Sequence, residues 1–176
     1  NASEIYEPGR AQNYLRATHV NEILKIYKNR EEKKHVSKIV KISEIAKHHN
    51  DRLESTANTT GIIEGSKKGD HVYTINDSGK KIVLEMKDYT SPISTPALER
   101  YMNEAIENRG AEYGIVISKR KSGFSKDVGL FQEYGNKLFV ALTSEESEDA
   151  ELQNELIVIA LRWARLKLKQ KSGSVN

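Results

Sequence analysis

The amino-acid sequence predicts an α/β fold in which helices cover a β-sheet. Two short apolar runs, at residues 114–118 and 137–143, are typical of strands buried on both faces. An amphipathic helical pattern precedes them at residues 95–110, and two alternating strand patterns stand upstream. The predicted order is therefore helix, three strands, helix, strand, strand, helix.

The N-terminal part carries two helical patterns, at residues 10–29 and 31–49. Residues 50–60 are polar and rich in Thr, Ser and Asn, which predicts a loop leading to a short strand at residues 61–63. The apolar positions of the two helices are Val20, Ile23, Leu24 and Tyr27, then Val36, Ile39, Val40, Ile42, Ile45 and Ala46.

The next two strands are predicted at residues 71–75 and 81–87, around the turn signal at residues 76–79. Side chains alternate between the faces of a strand. Val83, Glu85 and Lys87 therefore share one face, and the alternate residues look buried. Charges on so apolar a strand either reach solvent or enter a polar site in which they compensate each other.

The helix at residues 95–110 has clear end signals. Thr95 is the expected N-cap, Pro96 the first helical position and Gly110 the C-terminal stop, with Arg109 interpreted as a partner of the helix dipole. Its apolar stripe follows the helical template at Leu98, Tyr101, Met102, Ala105 and Ile106.

The C-terminal part is predicted to contain a loop at residues 118–135, with at most a short helix at 126–134, and a final helix at 147–171. This helix has a heptad-like seam, widened by further apolar residues, which we expect to be buried against the domain or in a dimer. The predicted organisation is an N-terminal helical extension (1–30), a core (31–146) and a C-terminal helix with its tail (147–176). The seam residues are Leu152, Leu156, Ile159, Trp163 and Leu166.

Composition sets wider limits on function. The 176 residues include 28 Lys and Arg against 25 Asp and Glu, a balance too even to identify nucleic acid as the partner. The chain has no cysteine, which excludes disulfides and thiolate metal sites within it. No apolar run is long enough to cross a bilayer. We expect an intracellular, cytoplasmic protein that does not bind membranes.

The motif Gly69-Asp70, followed by Glu85-Met86-Lys87, a helix and a buried strand, resembles the PD-(D/E)XK, or restriction-endonuclease-like, nuclease superfamily. Gly69 stands where many members have Pro. The sequence is more specifically similar to a poorly characterised subgroup that carries this domain after a coiled coil, with a likeness covering residues 31–143. The segments that carry this finer likeness are 85–88, 107–111 and 114–118.

The resemblance implies a restriction-endonuclease-like mixed sheet and metal-dependent hydrolysis of phosphodiester bonds in DNA. Asp70, Glu85 and the Met86 carbonyl would bind Mg²⁺ or Mn²⁺, with Lys87 beside the phosphate and Asp88 supporting the lysine or a ligand. Many members add a glutamate from the first helix. Glu32 is the choice here because it lies on the inward stripe of that helix, and Glu31 and Glu44 are alternatives.

Five basic residues are candidates for phosphate contacts, although short basic clusters are more often solvated loops. His48, His49 and His71 have no third metal ligand at a recognisable spacing, and we interpret them as surface or packing residues. The candidate phosphate contacts are Lys67, Lys68, Lys119, Arg120 and Lys121.

Three functions remain open. The first is a DNA nuclease acting as a homodimer, because two symmetry-related sites suit the cutting of two strands. The second is a nucleic-acid-binding domain without catalysis. The third is an assembly module whose terminal helices form oligomers, since a fold does not by itself establish a function.

Overall fold

A computed structural model describes residues 38–142 and 150–170, without the side chains of residues 150 and 151. The chain divides into two compact units, Asn1–Ile39 and Val40–Asn176, and the whole sheet belongs to the second. Three helices flank a mixed sheet of six strands, which confirms the α/β class. The elements are α1 (described over 38–48), β1 (Arg52–Ser55), β2 (His71–Thr74), β3 (Lys81–Lys87), α2 (Thr95–Arg109), β4 (Tyr113–Ser118), β5 (Phe131–Tyr134), β6 (Lys137–Ala141) and α3 (Ala150–Gln170).

The strands lie in the order β1-β2-β3-β4-β6-β5. β1, β2 and β3 form an antiparallel meander, whereas β3, β4 and β6 are mutually parallel and β5 runs antiparallel to β6. Helix α2 connects the parallel neighbours β3 and β4. The carboxyl ends of these two strands therefore meet at one edge of the sheet, with Lys87 paired to Ser118.

Helix α2 covers one face of the sheet. Its N-cap is Ser94, one residue before the expected Thr95, and Gly110 ends it in the left-handed conformation with φ 57°. Leu98, Met102 and Ala105 are buried in one cluster with Val83, Val116 and Phe139 of the sheet. Because side chains alternate along β3, Glu85 and Lys87 project from the same face as Val83.

Helix α3 packs against the opposite face. Trp163 lies edge-on to Phe131, with ring centroids 6.5 Å apart, and its indole N–H donates to Glu133 Oε1 over 3.1 Å. The Tyr113 hydroxyl donates to the same carboxylate over 2.6 Å, and Lys167 Nζ lies 3.0 Å from Glu133 Oε2. The buried residues of α3 include Ile157, Ala160, Leu161, Ala164 and Leu168.

The sequence left two alternatives for the α3 seam, burial against the domain or in a dimer. Within the described residues four of the five seam residues are exposed: Leu152 by 53%, Ile159 by 49%, Trp163 by 39% and Leu166 by 52%. Trp163 nevertheless contacts β5 at Phe131 and Glu133. Most of the seam is therefore not buried against the domain, and its burial in a dimer stays a prediction.

Two secondary-structure predictions are wrong. Residues 61–65 form bends and a turn, with Ile62 exposed by 74%, and the strand β1 lies inside the predicted loop. The segment predicted as a short helix contains β5, preceded by a 3₁₀ turn at Lys121–Gly123. Both missed strands are edge strands of four residues, which form because β2 and β6 offer a pairing partner. The predicted helix at 10–29 lies outside the described residues.

No helix within residues 38–142 and 150–170 is both long and apolar enough to span a bilayer.

Candidate functional site

Two carboxylates lie where the ladder between β2 and β3 ends. The last paired residues are His71 and Leu84, so a continued register would place Asp70 opposite Glu85. Beyond this pair, the next two backbone N–H groups donate to carboxylate side chains and not to the neighbouring strand. Gly69 N–H donates to Glu85 Oε1, and Met86 N–H donates to Asp70 Oδ2 over 3.0 Å. These crossed bonds hold both carboxylates at the end of the strand pair.

Gly69 is required by this geometry. Its φ of +101° is rarely adopted by other residues, and an added Cβ would lie 2.6 Å from Arg109 Cγ and 2.9 Å from Val83 Cγ2. Proline fixes φ near −65° and has no N–H to donate to Glu85. In this chain, glycine is therefore not interchangeable with the proline that many members of the superfamily carry.

Lys87 completes the group of charges. Its Nζ lies 2.7 Å from Glu85 Oε2, and the Glu85 side chain is fully buried. The same Nζ stands 4.8 Å from the ring centroid of Tyr101, which reaches over from α2. An aromatic face and a carboxylate together restrict where the ammonium group can lie.

The electrostatics of the group follow from this burial. Burial raises the pKa of the Glu85 carboxyl and the Asp70 charge adds to the effect, whereas hydrogen bonds from Lys87 and the Gly69 amide oppose it. Burial alone would lower the pKa of Lys87, because it disfavours the charged ammonium. The interactions with Glu85 and Tyr101 outweigh this effect, so the pKa of Lys87 is raised. Burial also raises the pKa of Tyr101 to about 12. Lys87 is thus a fixed cation at neutral pH.

Arg109 and Asn108, at the end of α2, hold the loop that leads to Asp70. Arg109 Nη2 donates to the carbonyls of Thr56, Thr59 and Lys67 over 2.7, 2.9 and 3.0 Å. Asn108 Nδ2 donates to the carbonyls of Ser66 and Lys68 over 3.2 and 2.8 Å. Arg109 therefore organises loop 56–69, a role that its interpretation as a helix-dipole partner did not include.

The basic candidates flank this group on two sides. Lys119 N–H donates to the Lys87 carbonyl over 2.9 Å, so the loop after β4 starts beside the end of β3. Asp88 pairs with Arg120 at 2.7 Å and with Lys119 at 3.8 Å, which partly neutralises both. Lys121 is exposed.

On the other side, Lys67 and Lys68 precede Asp70. Lys67 is exposed, whereas Lys68 forms an ion pair with Glu104 and lies 4.8 Å from the Tyr101 ring centroid. The five basic residues thus lie in the two loops that flank the carboxylates.

The oxygen donors suit a hard divalent cation, because carboxylates and carbonyls are the ligands that Mg²⁺ and Mn²⁺ prefer. The described residues supply Asp70, Glu85 and the Met86 carbonyl. Within residues 38–142 and 150–170, no three His, Cys, Asp or Glu side chains form a metal-binding group. Glu44 is exposed and pairs with Lys41 at 3.2 Å, and Glu31 and Glu32 lie outside the described residues.

Comparison with protein-family models, curated proteins and solved structures found no match.

A second concave region, an open cleft of about 290 Å³, lies between α1 and α3. Its charges are largely compensated, because Arg165 binds Asp51 at 2.8 Å and Lys169 lies 4.0 Å from Asp77. The cleft is lined by His48, His49, Arg162, Arg165, Leu166 and Lys169. The two histidine rings contact each other at 4.9 Å, and His71 is buried in β2.

Sequence reasoning missed the part that Tyr101 and the end of α2 play. Tyr101 matched the apolar stripe of the helix, but a tyrosine has a polar tip that usually finds a partner when buried. Asn108 and Arg109 gave a similar indication in the sequence. These two polar residues continue the buried face of α2, and buried polar side chains need hydrogen-bond partners.

Proposed function

We propose that this protein is a metal-dependent nuclease that hydrolyses phosphodiester bonds in DNA and has a restriction-endonuclease-like fold. The observation that carries the proposal is the grouping of Asp70, Glu85 and Lys87 at the end of β3, with backbone amides holding both carboxylates. The antiparallel meander, followed by a helix and a parallel strand, is the element order that the resemblance requires.

In the proposed mechanism, Asp70, Glu85 and the Met86 carbonyl hold Mg²⁺ or Mn²⁺. The bound ion would lower the pKa of its water and stabilise charge that develops on phosphorus. Lys87 places a positive charge beside the phosphate and orients the attacking water. Tyr101 is a positioning residue, since its ring restricts Lys87.

DNA is held by the two basic loops. Lys67 and Lys121 are exposed and available for phosphate contacts, and Lys68, Lys119 and Arg120 lie beside them. Asp88 orients Lys119 and Arg120 through its ion pairs. Such contacts provide sequence-independent affinity that falls as salt rises.

Substitution of Lys87 tests the mechanism. Lys87→Ala should abolish Mg²⁺- or Mn²⁺-dependent cleavage, because the charge beside the phosphate is lost. Lys47→Ala, at an exposed lysine on α1 outside both basic loops, is the matched control and should cleave as the wild type does. Circular dichroism and thermal unfolding establish that both variants fold. Undiminished cleavage by folded Lys87→Ala would overturn the site assignment.

Metal binding is tested by calorimetry. Titration of Mg²⁺ and Mn²⁺ should give a binding signal that Glu85→Ala and the near-isosteric Asp70→Asn remove, since each loses an anionic ligand. Titrations are repeated with single- and double-stranded DNA present. Unchanged binding in both variants would place the metal elsewhere.

A catalytically silent nucleic-acid-binding domain is the second candidate. It is favoured by the ligand set within the described residues, which contains two carboxylates, one of them paired with Lys87. This function predicts salt-sensitive retention of DNA or RNA without any cleavage in Mg²⁺ or Mn²⁺.

We further propose that the protein forms a homodimer. The exposed apolar seam on α3 supports this proposal.

A further inference from the structure

The solvent face of α3 carries an apolar stripe with a regular repeat. Leu152, Ile159 and Leu166 follow one another every seven residues and are each about half exposed. Leu156 and Trp163 fill the positions between them. A partner can therefore reach Leu152, Ile159 and Leu166, whereas Trp163 also contacts Phe131 of β5.

The stripe is symmetric about its centre. Leu152 and Leu166 stand at equal distances on either side of Ile159. A twofold axis through Ile159 would therefore place Leu152 of one copy opposite Leu166 of the other, and the two Ile159 side chains against each other. Apolar residues at this spacing interdigitate between paired helices.

Charges along one flank of the stripe select the direction of pairing. Glu155 and Arg162 are both exposed and, being seven residues apart, lie on the same flank. Antiparallel pairing brings Glu155 of each copy opposite Arg162 of the other. Parallel pairing in register would place this flank against the other flank of the partner helix, so that Glu155 and Arg162 would not meet.

The surroundings of Arg162 favour the same arrangement. The open cleft beside it is also lined by His48, His49 and Lys169. Arg165 of this cleft is paired with Asp51, whereas Arg162 is exposed and can meet a glutamate from a second copy.

We propose that α3 pairs antiparallel with α3 of a second copy of this chain, across the seam centred on Ile159, with reciprocal Glu155–Arg162 ion pairs. The inference rests on the proposed homodimer and does not depend on nuclease activity. One helix pair forms a small interface, so the dimer dissociates on dilution.

The test measures molar mass by light scattering over a concentration series of the full chain. Wild type should pass from monomer to dimer. Ile159→Asn should weaken the dimer at least about 100-fold, because two buried isoleucines are lost. Ile62→Asn, at an isoleucine outside α3 that is exposed by 74%, should leave the dissociation constant unchanged. Both substitutions are at exposed positions, and circular dichroism establishes that the variants fold.

An exchange of the charges at Glu155 and Arg162 tests whether the two α3 helices pair antiparallel. Glu155→Arg and Arg162→Glu should each weaken the dimer about tenfold, since two ion pairs become repulsive contacts. The double variant should restore the wild-type dissociation constant. Failure of this rescue would overturn antiparallel pairing.

Other outcomes are distinguishable. A monomer at every concentration would overturn both the homodimer and the α3 pairing. A dimer that Ile159→Asn leaves intact would overturn the α3 pairing alone. Metal-dependent cleavage, measured separately, decides the nuclease proposal.

Discussion

At the scale of single residues, Arg109 shows how one side chain connects the fold to the site. Its guanidinium binds three carbonyls of loop 56–69, and its aliphatic stem packs against Gly69. The loop therefore ends in a defined position at the residue that donates to Glu85. Arg109 lies far along α2 from Tyr101, but both constrain the same group of charges.

Removal of this guanidinium should loosen the loop. Arg109→Ala removes the donor of three part-buried carbonyls and should lower the free energy of unfolding by about 1–3 kcal/mol. Amide hydrogen exchange should accelerate over residues 56–69. Arg100→Ala, at an exposed arginine on the same helix, should change neither quantity appreciably. Unaltered exchange in Arg109→Ala would show that the loop is held by other contacts.

Glu133 joins β4, β5 and α3 through one carboxylate. Burial raises its pKa, but hydrogen bonds from Tyr113, Lys167 and Trp163 outweigh this effect, and the net pKa lies below the ordinary value of 4.5. A lowered pKa in the folded state means that the ionised carboxylate stabilises the fold above pH 4.5. This stabilisation is lost as pH falls through the folded-state pKa.

Glu133→Gln should therefore be less stable than wild type at pH 7, and the difference should shrink as the pH falls below 4.5. Urea unfolding followed by Trp163 fluorescence measures both proteins across this range. A difference that stays constant with pH would show that the charge of Glu133 contributes nothing.

At the scale of elements, prediction succeeded where local signals were strong. The bounds of β3 and nearly those of α2 follow from a run of β-branched residues and from Pro96 and Gly110. β1 and β5 have half-polar sequences and form because neighbouring strands pair with them, a tertiary cause that no local pattern carries. The expected strand at residues 61–63 had the apolar residues but no neighbour to pair with.

The candidate site, too, has features that the sequence predicted and features that it did not. The shared face of Glu85 and Lys87 follows from strand alternation, and the position of Asp70 follows from the order of the elements. The crossed hydrogen bonds and the reach of Tyr101 depend on how strands end and how a helix packs. Sequence spacing alone does not contain that information.

The start of β2 is the element most sensitive to substitution. Gly69→Ala adds both a disfavoured φ and close contacts with Arg109 and Val83, and should destabilise the fold by about 3 kcal/mol. Gly79 has a positive φ of 66° but open space around it, so Gly79→Ala should cost only about 1 kcal/mol. Thermal and urea unfolding compare the two. Equal losses would show that backbone strain alone, without the contacts, sets the requirement for glycine.

At the scale of the whole sheet, the two faces carry different groups of interacting residues. The face under α2 carries Glu85 and Lys87, and the face under α3 carries Tyr113 and its contacts with Glu133. Core residues of the central strands alternate between these faces. A substitution in the layer under α2 therefore affects the layer under α3 only through the strands that separate them.

This separation has a consequence for how DNA would be cut. In the proposed dimer, two copies joined through α3 would stand back to back, with their carboxylate groups on the sides away from the twofold axis. Each group would then meet its own stretch of duplex, so a single encounter would break one strand. When supercoiled plasmid is digested, nicked circles should accumulate before any linear product appears on a gel. Direct conversion to the linear form would instead require two sites that converge on one duplex, which back-to-back pairing through α3 cannot provide.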